Sequence, residues 1–283
     1  MKESASILVE SNNGLARVTL NRPHRRNAFD AGMVSALCST FESLGQDSSV
    51  RAIVLTGAGS LFCAGADLDW LAPDRTITAQ DAQDDAERLL AMFRTIDACP
   101  CPVIGRIQGG AYGGGLGLIA VCDIAVAVAD ATFAFSEVRL GLVPAVIAPF
   151  ILRKTGESFV RRYGLIGEPF SSSTAAAAGL VHEAVDSAAL DKRVHELVEL
   201  VLRLPPRAVR DTKAWISRLH QVPEDRIWRL GVQTNVRARL SAEAQEGLRA
   251  FRERRTPDWA ASADGRETAS PEEKPHDVDA RST

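Results

Sequence analysis

The chain has 283 residues, with 33 Lys and Arg against 36 Asp and Glu, for a formal charge of −3. Hydrophobic residues at 46% are enough to bury the core of one large domain or two modest ones, and too many for a chain disordered throughout. The near-balanced charge gives no basic field, which argues against nucleic acid as the main partner.

Ile7–Glu10 and Leu15–Leu20 read as two short strands joined by Ser11-Asn12-Asn13-Gly14. Asp30 stands where it can cap a helix carrying Met33, Leu37, Phe41 and Leu44 at spacings of three or four. Ala52–Thr56 (AIVLT) is a buried strand. A polar segment from Pro73 to Glu87 then leads into a helix bearing Leu89, Leu90, Phe93 and Ile96. Val103–Ile107 is a further strand, followed by a glycine-rich stretch, a helix to about Cys122 and a strand at Ile124–Val128. This alternation predicts α/β architecture.

Past residue 140 the pattern changes. Pro205-Pro206 breaks the chain, and helical patterns follow near 207–219, 224–238 and 241–255. Residues 260–283 contain one Val and no Leu, Ile or Phe, which predicts a disordered tail. The N-terminus has no apolar signal region, and the longest charge-free apolar stretch, Leu140 to Leu152, is broken by Pro144 and Pro149. Cys38, Cys63, Cys99, Cys101 and Cys122 have no zinc-type spacing beside histidines and read as small buried residues in a reducing compartment. A soluble, cytoplasmic protein is expected, with no metal and no membrane contact.

Three segments carry chemistry. In Leu61–Leu68 (LFCAGADL) small residues follow a strand, so that a ligand can approach the backbone and find a free N–H; Asp67 also reads as a plain helix cap. Gly109–Gly117 holds six glycines between a strand and an apolar helix, without the spacing of a dinucleotide fingerprint or a P-loop. Unpaired N–H groups at such a helix start stabilise an oxygen gaining negative charge. In Phe133–Pro144, Glu137 is a lone carboxylate in apolar company, suited to acid–base work if burial raises its pKa. A surface Glu paired with Arg139 is the alternative.

Together with Asn21-Arg22-Pro23, Asn27-Ala28 and the late Gly247–Phe251 and Pro257-Asp258-Trp259, these segments resemble the crotonase (enoyl-CoA hydratase/isomerase) superfamily over nearly the whole chain except the tail. The resemblance implies a spiral of ββα turns over residues 1–204 and a C-terminal helical trimerisation region over 205–259, with trimers often paired into hexamers. It implies an enzyme acting on acyl-CoA thioesters without a cofactor. The backbone N–H groups of Ala66 and Gly114 would form the oxyanion hole, and Glu137 would be the acid–base group. Arg25 and Arg26 would meet the CoA phosphates, and Ala28, Ala64, Gly65, Asp67, Leu68, Gly113 and Gly117 would lie along the substrate. Two-carboxylate hydratases have their first Glu where this chain has Gly117, so Glu137 would work alone. Hydration of the C2–C3 double bond is the first expectation and isomerisation the second; a non-catalytic thioester-binding scaffold is a third. Ser136–Ala145 with Gly115–Leu118 is similar to bacterial methylglutaconyl-CoA and carboxygeranoyl-type hydratases, which implies a branched or carboxylated enoyl-CoA. Arg139 would then face that carboxylate or form a structural salt bridge. His24, His182, His195, His220 and His276 are scattered, and Trp215 and Trp228 read as packing or subunit-contact residues.

Overall fold

Asn13 and Gly14, with φ of 49° and 82°, form the two-residue turn that joins β1 (Ile7–Asn12) to β2 (Leu15–Leu20). Positive φ at both positions matches the right-handed twist of the paired strands, and only Asn and Gly adopt it at low cost. In this computed structural model, residues 5–72, 76–219 and 222–261 are described. Seven further strands lie among them: β3 (Ala52–Gly57), β4 (Val103–Ile107), β5 (Ala111–Tyr112), β6 (Ile124–Val128), β7 (Thr132–Ala134), β8 (Phe170–Ser171) and β9 (Glu183–Val185). A six-stranded sheet runs in the order β1-β2-β3-β4-β6-β9, and every neighbouring pair beyond the first is parallel. The smaller sheet is β5-β7-β8. β3 is buried along its whole length, as expected of a parallel strand covered on both faces.

The early helices are α1 (Ala31–Gln46), α2 (Leu68–Leu71), α3 (Ala79–Ala98) and α4 (Gly114–Val121). Asp30 caps α1 by accepting from the Met33 N–H at 2.9 Å, and Met33, Leu37 and Phe41 of that helix are at most 1% exposed. Each such burial stabilises the fold by about 1.5–3 kcal/mol relative to an exposed position. α3 starts well inside the segment expected to be a polar lead-in. Thr78 Oγ1 accepts from the Asp81 N–H while Asp81 accepts from the Thr78 N–H, a reciprocal cap that sets the start well ahead of Leu89, the first large apolar residue of the helix. Those first turns are solvated, so apolar spacing does not mark them.

Beyond them come α5 (Ala148–Gly164), interrupted at Gly156 where φ is 77°, α6 (Ser172–Ala177), α7 (Leu190–Leu202), α8 (Pro206–Leu219), α9 (Glu224–Arg239), α10 (Ala242–Glu253) and α11 (Asp258–Ala261). Pro206 begins α8 instead of only ending what precedes it, since the first helical position needs no N–H. Arg210 and Lys213 of α8 reach back to the sheet. Arg210 donates to the Val50 carbonyl at 2.8 Å, and Lys213 pairs with Asp123 at 2.6 Å. Residue 260, where the expected tail would begin, lies in α11, and residues 262–283 fall outside the described part. All five cysteines are free, and four are buried. No helix among the described residues is long and apolar enough to cross a membrane.

Candidate active site

The segments that follow β2, β3, β5 and β7 meet beside one cavity at the edge of the parallel sheet, where open α/β sheets place their ligands. The loop after β2 holds Arg26 and Asn27 at φ of 54° and 56°. Buried Asn27 maintains that conformation. Its Nδ2 donates to the Ala58 and Leu61 carbonyls at 2.8 Å each, and its Oδ1 accepts from the Arg22 N–H at 3.1 Å. Arg22 donates to the Ala28 carbonyl at 2.5 Å and pairs with Asp67 at 2.9 Å and Asp30 at 3.2 Å. Two loops distant in sequence are thereby fixed to each other before any ligand arrives.

In the loop after β3, Cys63 donates its thiol to the Asn27 carbonyl at 3.2 Å and accepts from the Gly65 N–H at 3.3 Å. Burial pushes this thiol up to about 12, so it serves as a brace and not as a nucleophile. Phe29 donates to the Gly65 carbonyl, and Asp67 donates to the Phe29 carbonyl, both at 2.9 Å. In such a parallel bridge the residue between them, Ala66, turns its own N–H to the opposite side. Asp67 also accepts from the Asp69 N–H at 3.1 Å and caps α2.

The glycine-rich loop after β4 passes close behind. A Cβ on Gly65, whose φ is 90°, would lie 2.7 Å from the Tyr112 carbonyl oxygen and 3.0 Å from the Gly114 nitrogen. Gly114 opens α4, where the N–H has no acceptor inside the helix. A Cβ on Gly114 would lie 2.4 Å from Phe29 Cζ, which explains why only glycine fits. The N–H groups of Ala66 and Gly114 thus stand on adjacent strands of backbone beside one cavity.

That cavity has a volume of about 520 Å³. Arg25, Arg26, Ala28, Ala64, Gly65, Ala66, Asp67, Leu68, Gly113, Gly114 and Glu137 border it, which brings together the residues expected at the oxyanion hole, the acid–base position and along the CoA substrate apart from Gly117. Glu137 begins a 3-10 turn, Glu137–Leu140, at the end of the loop after β7. Its Oε2 is buried without a hydrogen-bond partner. Burial pushes its carboxyl above the ordinary range, and the backbone N–H groups of Glu137 and Ser136 partly oppose that shift. Arg25 pairs with Asp69 at 2.9 Å in solvent, a bond worth about 0–1 kcal/mol, whereas Arg26 makes no ion pair among the described residues.

Gly117 is the exception. It is buried in α4 and does not border the cavity, because Phe93 and Ile147 pack against it. A Cβ there would lie 2.6 Å from Ile147 Cγ2 and 2.8 Å from Phe93 Cε1. The place of a first carboxylate is filled by apolar side chains, and Phe93 is itself locked against Phe29 and Phe150. Gly117→Glu is therefore expected to destabilise the fold by at least ~3 kcal/mol through overpacking and charge burial, without gain in activity. A thermal melt with a parallel activity assay checks this. Arg139 also departs from both expectations for it. It is exposed, lies away from the cavity and forms no ion pair among the described residues.

Sequence reasoning passed over Tyr112, Ser136, Leu140 and Leu142, which border the cavity from within the quoted segments, and Asp69 and Leu71 next to them. Arg22 and Asn27 carried the resemblance without a role, and the structure gives them the bracing one described above.

The family described as enoyl-CoA hydratase/isomerase matches residues 10–262. A putative enoyl-CoA hydratase of Thermus thermophilus is 32% identical over 243 residues, covering 86% of this chain and 96% of that one. Among solved structures, Pseudomonas aeruginosa AtuE is 36% identical with a TM-score of 0.86, over 90% of this chain and 99% of that one. An enoyl-CoA hydratase from Shewanella pealeana is 34% identical with a TM-score of 0.85, over 90% and 96%. The chain belongs to the enoyl-CoA hydratase/isomerase family, the crotonase superfamily, and has its α/β fold with C-terminal helices.

Proposed function

We propose that this enzyme of the enoyl-CoA hydratase/isomerase family adds water across the C2–C3 double bond of an enoyl-CoA thioester, with Glu137 as its acid–base group. One observation carries the reading: Glu137, a carboxylate with one buried and unpartnered oxygen, borders the same cavity as Ala66 and Gly114. Water attacks C3 as Glu137 removes one of its protons. The π electrons move toward C1, and the thioester oxygen gains charge beside the two N–H donors. Glu137 then gives that proton to C2, which yields the 3-hydroxyacyl-CoA and returns the carboxylate to its ionised form. Because the carboxylate must be ionised to accept the proton, the rate rises with pH through the raised pKa of Glu137.

Arg25 and Arg26 are the cations bordering the cavity, and we assign them to the CoA phosphates. Beside Glu137 the wall is Leu140 and Leu142. With Arg139 outside, an uncharged branched acyl group suits that wall better than a carboxylated one. Exposed apolar residues on α9 and α10, among them Trp228 at 71% and Phe251 at 84%, support assembly of copies through these helices. Isomerisation is the second reading, favoured by the single carboxylate.

The test is incubation with crotonyl-, 3-methylcrotonyl-, 3-methylglutaconyl- and a 3-enoyl-CoA in water enriched in heavy oxygen, read by mass spectrometry. Uptake of one labelled water is expected, with the 3-methylcrotonyl thioester preferred to the carboxylated one. Double-bond migration without label would assign an isomerase, and an unchanged panel would sink both enzymatic readings.

A further inference from the structure

A single carboxylate leaves a difficulty in hydration. It must remove a proton from water and also hold that water over C3, and one acceptor fixes only one of the water's bonds. A bound water generally needs two to four polar partners. The position that could have supplied a second carboxylate is closed by Phe93 and Ile147 against Gly117. We infer that Ser136 is the second holder of the nucleophilic water, which sits between its hydroxyl and the Glu137 carboxylate. This rests on the hydratase reading.

Ser136 borders the cavity and its hydroxyl makes no hydrogen bond among the described residues. Its position relative to Glu137 is fixed by Gly113. A Cβ built on that glycine would lie 2.8 Å from Ser136 Oγ and 3.2 Å from Glu137 Oε1, so both side chains stand over the same Cα on one wall. Gly113 has φ of 50°, and its N–H donates to the Ala134 carbonyl at 3.0 Å, two residues before Ser136. The wall is therefore held by backbone and not by a mobile side chain. Glu137 Oε2 has no partner either. A hydroxyl without a partner beside a carboxylate on one cavity wall is what a bridging water satisfies. The water gives one hydrogen to Glu137 and the other to Ser136 Oγ, and its lone pair is left toward C3. The bond from oxygen to C3 forms as the O–H bond to Glu137 breaks. The proton shared with Ser136 stays on the new hydroxyl group.

The experiment compares two reactions that share Glu137 and the N–H donors but differ in their need for this water. One is hydration of crotonyl-CoA. The other is exchange of a C2 hydrogen of butyryl-CoA in deuterium oxide, which uses no nucleophilic water. Ser136→Ala is expected to lower kcat for hydration roughly tenfold, as for one lost transition-state hydrogen bond, with KM little changed. Exchange should proceed at the wild-type rate, and Ser136→Thr should recover most of the hydration rate. Glu137→Gln should lose both reactions. Equal loss of hydration and exchange in Ser136→Ala would overturn the inference, because Ser136 would then act on Glu137 or the fold. Unaltered hydration in that variant would also overturn it. Exchange without hydration in the wild-type enzyme would remove the hydratase reading itself, and this inference with it.

Discussion

Glu137→Gln is expected to cut turnover of an enoyl-CoA by about 10²–10⁴-fold, the usual contribution of a positioned acid–base group, while binding of a saturated acyl-CoA changes little. The isosteric amide keeps the shape of the cavity wall and removes only the proton acceptor. Steady-state kinetics with calorimetric titration of butyryl-CoA checks the split. Turnover at the wild-type rate would reject the acid–base role. Stability is expected to move the other way. Burial raises the Glu137 carboxyl in the native state. Between the ordinary Glu pKa and that raised value, the native state holds more protons than the unfolded chain, so stability falls as pH rises through this window. Gln carries no such penalty. The variant should therefore melt above the wild type near pH 7, and the two should converge near about pH 4, below the ordinary Glu pKa. A catalytically inert but more heat-resistant variant would mark this carboxylate as placed for function at a cost to the fold.

Gly65→Ala is expected to lower kcat/KM by about 10²–10³-fold, which is the effect of losing one oxyanion donor. Two effects combine at this residue. Its φ of 90° strains any side chain, and the added Cβ would stand 2.7 Å from the Tyr112 carbonyl oxygen and 3.0 Å from the Gly114 nitrogen. Both neighbours are backbone, so they can only separate, and the Ala66 and Gly114 N–H groups separate with them. Gly156→Ala is the control. Its φ of 77° is equally unfavourable, but nothing lies within 4 Å of the added atom. It should cost about 1–2 kcal/mol of stability and leave kinetics unaltered. Equal kinetics in Gly65→Ala and the wild type would reject the assignment of these two donors.

Much of the scaffold was legible because its signals are local. Asp30 ahead of Met33 and Leu37 states a capped amphipathic helix, and Asn13-Gly14 states a tight hairpin. β8 and β9 were not legible, since strands of two and three residues present no period to detect. The start of α3 was hidden for a different reason: its cap is polar and so are the turns it begins. At the site, the backbone donors could be named only through resemblance, because an N–H group leaves no mark in the residue type. Glycine 117 read as a substrate neighbour on that same resemblance. Its true surroundings depend on Phe93 and Ile147, which come from α3 and from the residue before α5. Ser136 was overlooked because a lone serine beside a glutamate has no pattern of its own.

The segments that border the cavity follow β2, β3, β5 and β7, and they converge only after strands of both sheets have paired. Both backbone donors and the carboxylate come from three of these segments, at Ala66, Gly114 and Glu137. Catalytic competence is in this sense a late acquisition of the folding chain, reached only when non-local pairings have closed. Activity on dilution from denaturant should consequently recover with the slowest structural phase. A collapsed intermediate with its helices already formed would remain inert. Turnover is then a more demanding gauge of native structure in this protein than helical content.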